Sequence, residues 1–134
     1  MEILKKAGFL ALLVLLVVGI VGGCGKSGGA EPEGYHKITA EQAKQMMDTK
    51  KVTIVDVRTE AEYKDGHVPG AMLLPVESIG DSRPAKLPDP GATLLVYCRS
   101  GHRSGIAARK LAEMGYKNVY DFGGINSWPY SVEK

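Results

Sequence analysis

Eight consecutive residues carry the clearest chemistry of this chain: Tyr97-Cys98-Arg99-Ser100-Gly101-His102-Arg103-Ser104. The apolar run Leu94-Leu95-Val96 leads into them and a helical pattern follows. A cysteine between the two sits where a buried strand ends and a loop curls toward a helix N-terminus. Backbone N–H groups of such a loop converge on one point, and the helix dipole favours an anion there. Arg99 and Arg103 add full positive charges. Cys98 is therefore expected to act as a thiolate nucleophile. The plainer alternative is a cysteine that only closes a core strand. Asp56 and Arg58 are expected to form structural hydrogen bonds under the loop, with an acid–base role as the alternative. His67, in a glycine-flanked turn, reads as structural rather than as a base. His102 is open between a substrate contact and a solvent-facing side chain. No cluster has metal-ligand spacing, and nothing calls for a cofactor.

The elements that must position these residues follow from pattern. Thr39 to Gln42 is a capping box, so a helix is expected over about 40–47, turning Ala43 and Met47 inward. Val52 to Val57 is β-branched and apolar and reads as a buried parallel strand. Thr59 caps a short helical turn to Tyr63. Gly66 to Gly70 is a tight turn, and Ala71 to Leu74 a short strand stopped by Pro75. Ile79 to Gly91 holds Pro84, Pro88 and Pro90 and is expected to be mostly irregular. Thr93 to Tyr97 is the expected central strand. Ser104 to Met114 is an expected helix, with Ile106, Ala107, Leu111 and Met114 on its buried face and Gly115 as its cap. Val119 to Asp121 is a further strand, and 125–128 a final turn. Gly123 and Gly124 allow close backbone approach, and Trp128 anchors the C-terminal end. The alternation predicts an α/β domain with a mainly parallel sheet flanked by helices on both faces. Ligands of such sheets bind off the strands' carboxyl ends, where Cys98 falls.

The Cys98 loop, Val55-Asp56-Val57-Arg58 with Gly66-His67-Val68-Pro69-Gly70-Ala71, and Gly123-Gly124-Ile125 with Trp128 together resemble the rhodanese family of sulfurtransferases. The resemblance covers roughly residues 35–134. It implies a rhodanese-like fold and a two-step reaction. Cys98 takes the outer sulfur of a donor such as thiosulfate and becomes a persulfide; cyanide or a thiol then removes that sulfur. Arg99, Ser100, Gly101, His102, Arg103 and Ser104 would bind the substrate, mainly through loop N–H groups that stabilise anionic sulfur. The two arginines would orient the anionic donor, and Arg103 would also hold the loop's shape. Four residues separate Cys98 from Arg103. Cysteine phosphatases resemble a pattern with five, and the smaller ring suits a persulfide better than a tetrahedral phosphate. Two alternatives stand beside this reading: a sulfur or redox relay whose donor or acceptor is a partner protein, and a non-catalytic binding module on the same fold. The intact Cys98 loop argues against the second.

The N-terminus reads as a targeting segment. Lys5 and Lys6 precede an apolar run, Ala7 to Val21, of 15 residues. That suits a signal-peptide core better than a spanning helix, which needs about 20. Val21-Gly22-Gly23-Cys24 resembles the bacterial lipoprotein processing box. The resemblance implies cleavage of residues 1–23 and acylation of Cys24. The alternative is an uncleaved anchor with an incidental cysteine. Either places the rest outside the cytoplasm, at the cell membrane or the outer membrane. Gly25 to Gly34 is a glycine-rich linker, spanning about 17 Å on average. A disulfide between Cys24 and Cys98 is not expected, as they lie in separate regions. The 134 residues suit one small domain, and a net charge of only +2 leaves no nucleic-acid footprint. Loss of residues 1–23 would bring the remainder close to neutral, so attachment would rest on acyl chains.

Overall fold

Residues 31–134 are described by a computed structural model. Cys24, the signal-like segment and most of the linker lie outside the described residues. Pro32–Lys134 forms one compact unit around five parallel strands: β1 (Tyr35–Lys37), β2 (Thr53–Asp56), β3 (Met72–Leu73), β4 (Thr93–Cys98) and β5 (Asn118–Gly124). Their spatial order is β1-β5-β4-β2-β3, so β4 is central. The α/β class and the parallel sheet expected from sequence are what the chain adopts. Each β4 residue from Leu94 to Cys98 is buried, because alternate side chains enter two different layers.

Leu94, Val96 and Cys98 pack with Val55, Val57 and helix α3 (His102–Glu113). Leu95 and Tyr97 pack on the other face with Ile54, Phe122, Trp128 and helix α1 (Ala40–Thr49). Complete burial of one such aliphatic side chain contributes about 1.5–3 kcal/mol. Helix α1 starts at Thr39, whose hydroxyl accepts the Gln42 N–H at 3.0 Å while the Gln42 side chain accepts the Thr39 N–H at 2.9 Å. Ala43 is buried and Met47 half-buried against the Leu95 layer, as the pattern predicts. Helix α2 (Glu60–Lys64) starts with the same reciprocal cap from Thr59 and Glu62. The proline-rich segment is irregular, but it is not loose. Ile79 and Leu87 are buried in the α3-side layer, and Lys110 Nζ donates to the Ile79 carbonyl at 2.9 Å.

Three details differ from the sequence reading. Helix α3 begins at His102, two residues earlier than expected, since Gly101 serves as its N-cap. Its buried face holds Ser104, Gly105, Ala107, Ala108, Leu111 and Ala112, whereas Ile106 is 43% exposed. Small residues let the helix lie close to the sheet, so the bulkier Ile106 is rotated outward. Strand β1 carries no sequence signal of its own. Its three residues become a strand by pairing in parallel with Val119, Tyr120 and Asp121 of β5.

Candidate active site

Cys98 ends β4 and is only 1% exposed. The pairing of β4 with β5 shifts by one residue between Val96 and Cys98, from Val96 opposite Asp121 to Cys98 opposite Gly124. Such bulges re-aim side chains at the rims of sheets. The chain then turns through Arg99 and Ser100 to Gly101, whose φ of +106° few other residues adopt. This turn brings the Gly101 N–H back onto Cys98 Sγ, with N and S 3.0 Å apart. The first N–H groups of α3 follow directly and have no acceptor within the helix. The sulfur therefore lies at the N-terminus of α3, the end at which a helix is positively polarised.

The six loop residues named as substrate-binding take different positions. Arg99, Ser100 and His102 are exposed. Arg103 is engaged: its Nη1 and Nη2 donate to Glu62 Oε1 and Oε2 at 2.8 and 3.1 Å. These bonds raise the Arg103 pKa. They also hold the Glu62 carboxyl down from 4.5 to about 2, with help from the Thr59 N–H and hydroxyl and against a smaller effect of burial. The geometry thus gives Arg103 to the shape of the loop and leaves Arg99 exposed, with no ion-pair partner among the described residues. Ser104 is fully buried, its Oγ 2.8 Å from Asp121 Oδ1, and Asp121 also accepts the Gly123 N–H at 3.0 Å and the Tyr35 hydroxyl at 3.1 Å.

A second network lies under the loop. Arg58 Nε and Nη2 donate to Asp56 at 2.7–3.1 Å, and Nη2 also reaches the Gly66 carbonyl at 2.7 Å. The Tyr97 hydroxyl donates to Asp56 Oδ2 at 2.7 Å and accepts the Val68 N–H at 3.0 Å. Burial works against the Arg58 charge, but Asp56 outweighs it and the Arg58 pKa is raised. Burial, and then the bond to Asp56, pushes the Tyr97 phenol well above its ordinary value. Both carboxylate oxygens are committed, which leaves Asp56 as a brace between β2, β4 and the 66–70 turn. His67 stacks on Tyr63 with ring centroids 3.8 Å apart, and its backbone pairs with Glu133 near the C-terminus. Among the described residues, no three His, Cys, Asp or Glu side chains are grouped to hold a metal ion.

Glu62, Asp121 and the Tyr97 hydroxyl were not among the residues marked by sequence. The Thr59-to-Glu62 spacing signals a cap. Nothing local signals that the same carboxylate holds an arginine 41 residues further on. Gly124, by contrast, shows the close approach expected of it. A Cβ there would lie 2.6 Å from the Arg99 carbonyl carbon and the Ser100 Cα, and closer still to the Arg99 oxygen. Gly124→Ala should therefore push the loop off β5. The expected result is a loss of about 1–3 kcal/mol of stability, the range for overpacking. Activity should fall further than stability alone explains. Wild-type unfolding midpoint and turnover in this variant would overturn the assignment.

The chain belongs to the rhodanese-like domain family, whose model matches residues 39–129. A thiosulfate sulfurtransferase, PspE, from Escherichia coli (strain K12) is 38% identical over 71 residues, 53% of this chain and 68% of that protein. A sulfurtransferase from Allochromatium vinosum is 38% identical over 95 residues, 69% of this chain and 87% of that one. The solved structure of a rhodanese with anions from E. coli aligns with a TM-score of 0.58 at 33% identity, over 63% of this chain and 99% of that one. At the level of the family, these likenesses place the chain with the sulfurtransferases.

Proposed function

We propose that this domain transfers a sulfane sulfur from an anionic donor such as thiosulfate, through a persulfide on Cys98, to a thiol or cyanide. The observation that carries the reading is the Gly101 N–H on Cys98 Sγ at 3.0 Å, in a loop that opens a helix. In the first step the Cys98 thiolate attacks the outer sulfur of thiosulfate. The S–S bond of the donor breaks and its electron pair leaves with sulfite. The negative charge now on the Cys98 persulfide is met by the same loop N–H groups, which need not reorganise. Arg99, exposed and without an ion-pair partner among the described residues, draws in the donor dianion. The short loop disfavours phosphate, which needs a wider ring of donors.

Intact mass of the purified domain after exposure to thiosulfate tests this directly. Cys98 should gain one sulfur atom and lose it again on addition of cyanide. A domain that stays unmodified over many donor equivalents would overturn the reading.

We further propose that the mature protein begins at an acylated Cys24 and is held at a membrane, outside the cytoplasm. The support is the order of a short basic start, a 15-residue apolar run and Val21-Gly22-Gly23-Cys24. One acyl chain gives only marginal attachment, so stable anchoring requires at least two. Cys24→Ala should block processing and leave a heavier precursor. The mass of the N-terminal peptide from membrane-extracted protein checks this, and an intact Met1 or an unmodified Cys24 would show it to be wrong.

A further inference from the structure

Beside the Cys98 loop lies an open cavity of about 360 Å³, with Ile125 and Val132 on its walls and four charged residues around it: Arg58, Glu62, Asp65 and Arg99. Two of the four are already neutralised, Arg58 by Asp56 and Glu62 by Arg103. Asp65 and Arg99 are left. Both are exposed, and neither side chain has an ion-pair or hydrogen-bond partner among the described residues. The cavity thus presents one unpaired anion and one unpaired cation, the cation being Arg99, the residue that follows Cys98 in the chain.

We propose that this cavity is the acceptor site, and that it selects a small thiol bearing both an ammonium and a carboxylate. The ammonium would face Asp65 and the carboxylate Arg99. This rests on the sulfur-transfer reading above and extends it to the second half-reaction. A small donor dianion has no use for Asp65, which would repel it, and fills little of the space. Cavities of this size take organic molecules, with a few placed polar groups fixing orientation. The wall is held in place: the His67 and Glu133 backbones exchange N–H···O bonds of 2.8 Å, which holds the tail at Val132 against the turn at Gly66. Asp65 contributes its backbone to the end of α2, its N–H donating to the Ala61 carbonyl at 3.2 Å. Its carboxylate is not used by the fold.

In the transfer, the incoming thiol gives its proton to the anionic Cys98 persulfide, and the resulting acceptor thiolate attacks the outer sulfur of Cys98–S–SH. A new S–S bond forms to the acceptor and the bond to Cys98 Sγ breaks. The electron pair returns to Sγ as thiolate, and the proton leaves with the acceptor persulfide. No external oxidant or reductant is needed.

The test compares wild type with Asp65→Asn and Asp65→Lys, using thiosulfate as donor and four acceptors: glutathione, cysteamine, mercaptoacetate and 2-mercaptoethanol. Taking the variant-to-wild-type ratio for each thiol cancels its own reactivity. In Asp65→Asn, kcat/KM should fall about fivefold for glutathione and cysteamine, the factor that corresponds to about 1 kcal/mol for a partly exposed ion pair. It should change less than twofold for 2-mercaptoethanol. In Asp65→Lys, mercaptoacetate should become the improved substrate. Equal changes for all four thiols would overturn the acceptor site. Sulfur loading of Cys98, read by intact mass, separates the two claims. Loading with no acceptor discrimination sinks only this inference, whereas no loading sinks the sulfur-transfer reading beneath it.

Discussion

Cys98→Ser should abolish sulfur transfer and leave the fold in place. The serine hydroxyl is close in size to the thiol and can still accept the Gly101 N–H, so the loop keeps its turn. What it loses is the chemistry. A hydroxyl is a weak nucleophile unless a base or metal activates it, and among the described residues the Cys98 side chain has no hydrogen bond to a basic side chain; its sulfur meets the Gly101 backbone N–H. Serine also forms no persulfide, so the donor sulfur has nowhere to be held between the two steps. Turnover of thiosulfate with cyanide should fall by roughly 10⁴-fold or more, the scale on which loss of a catalytic nucleophile acts. The burial of Cys98 makes a small loss of stability expected, since a hydroxyl replaces an apolar-leaning thiol in the layer shared with Val96 and α3. Retention of more than about one part in a hundred of the wild-type rate, well above that expectation, would remove Cys98 from the mechanism.

The largest effect on stability is expected at Asp56, which is fully buried. Asp56→Ala removes the acceptor for Arg58 Nε and Nη2, for the Arg58 N–H and for the Tyr97 hydroxyl. Arg58, only 5% exposed, then keeps for its guanidinium one backbone acceptor among the described residues, the Gly66 carbonyl. A buried charge stripped of its partner costs about 3–5 kcal/mol. A domain of this size has about 5–15 kcal/mol in total, so a large share would go. Urea unfolding should show the midpoint falling with little change in slope. The double variant Asp56→Ala with Arg58→Met should recover part of the loss, because no charge is then buried alone. A loss under about 1 kcal/mol in the single variant would mean that Arg58 finds water or another acceptor, and that the pair does not brace β2, β4 and the 66–70 turn. Sulfur transfer should suffer in both variants, since Tyr97 directly precedes Cys98 and its hydroxyl ties β4 to the turn at Val68.

Residue order was enough to single out Cys98, the strand that carries it and the helix that follows. These are local matters. The apolar run Leu94-Leu95-Val96, a Cys-Arg-Ser-Gly turn and a 3.6-residue pattern follow one another closely along the chain. The caps at Thr39 and Thr59 were legible for the same reason, as each spans three residues. Three motifs in order were enough to indicate the rhodanese-like family, which the match over residues 39–129 bears out.

Which of the loop arginines is paired follows instead from a contact between segments far apart in the chain. Two arginines, Arg99 and Arg103, follow Cys98 in the sequence with equal claim to an anion. Only folding brings Glu62 of α2 onto Arg103 and leaves Arg99 open. Asp121 and Ser104 meet because β5 lies beside β4, an adjacency that the order of residues does not state. The outward turn of Ile106 and the recruitment of Tyr35–Lys37 as an edge strand have the same origin. A helix face is set by what fits against the sheet, and a three-residue strand exists only through its partner's hydrogen bonds. Ion pairs and strand pairings are contacts between distant segments, and their energy depends on separation in space rather than along the chain.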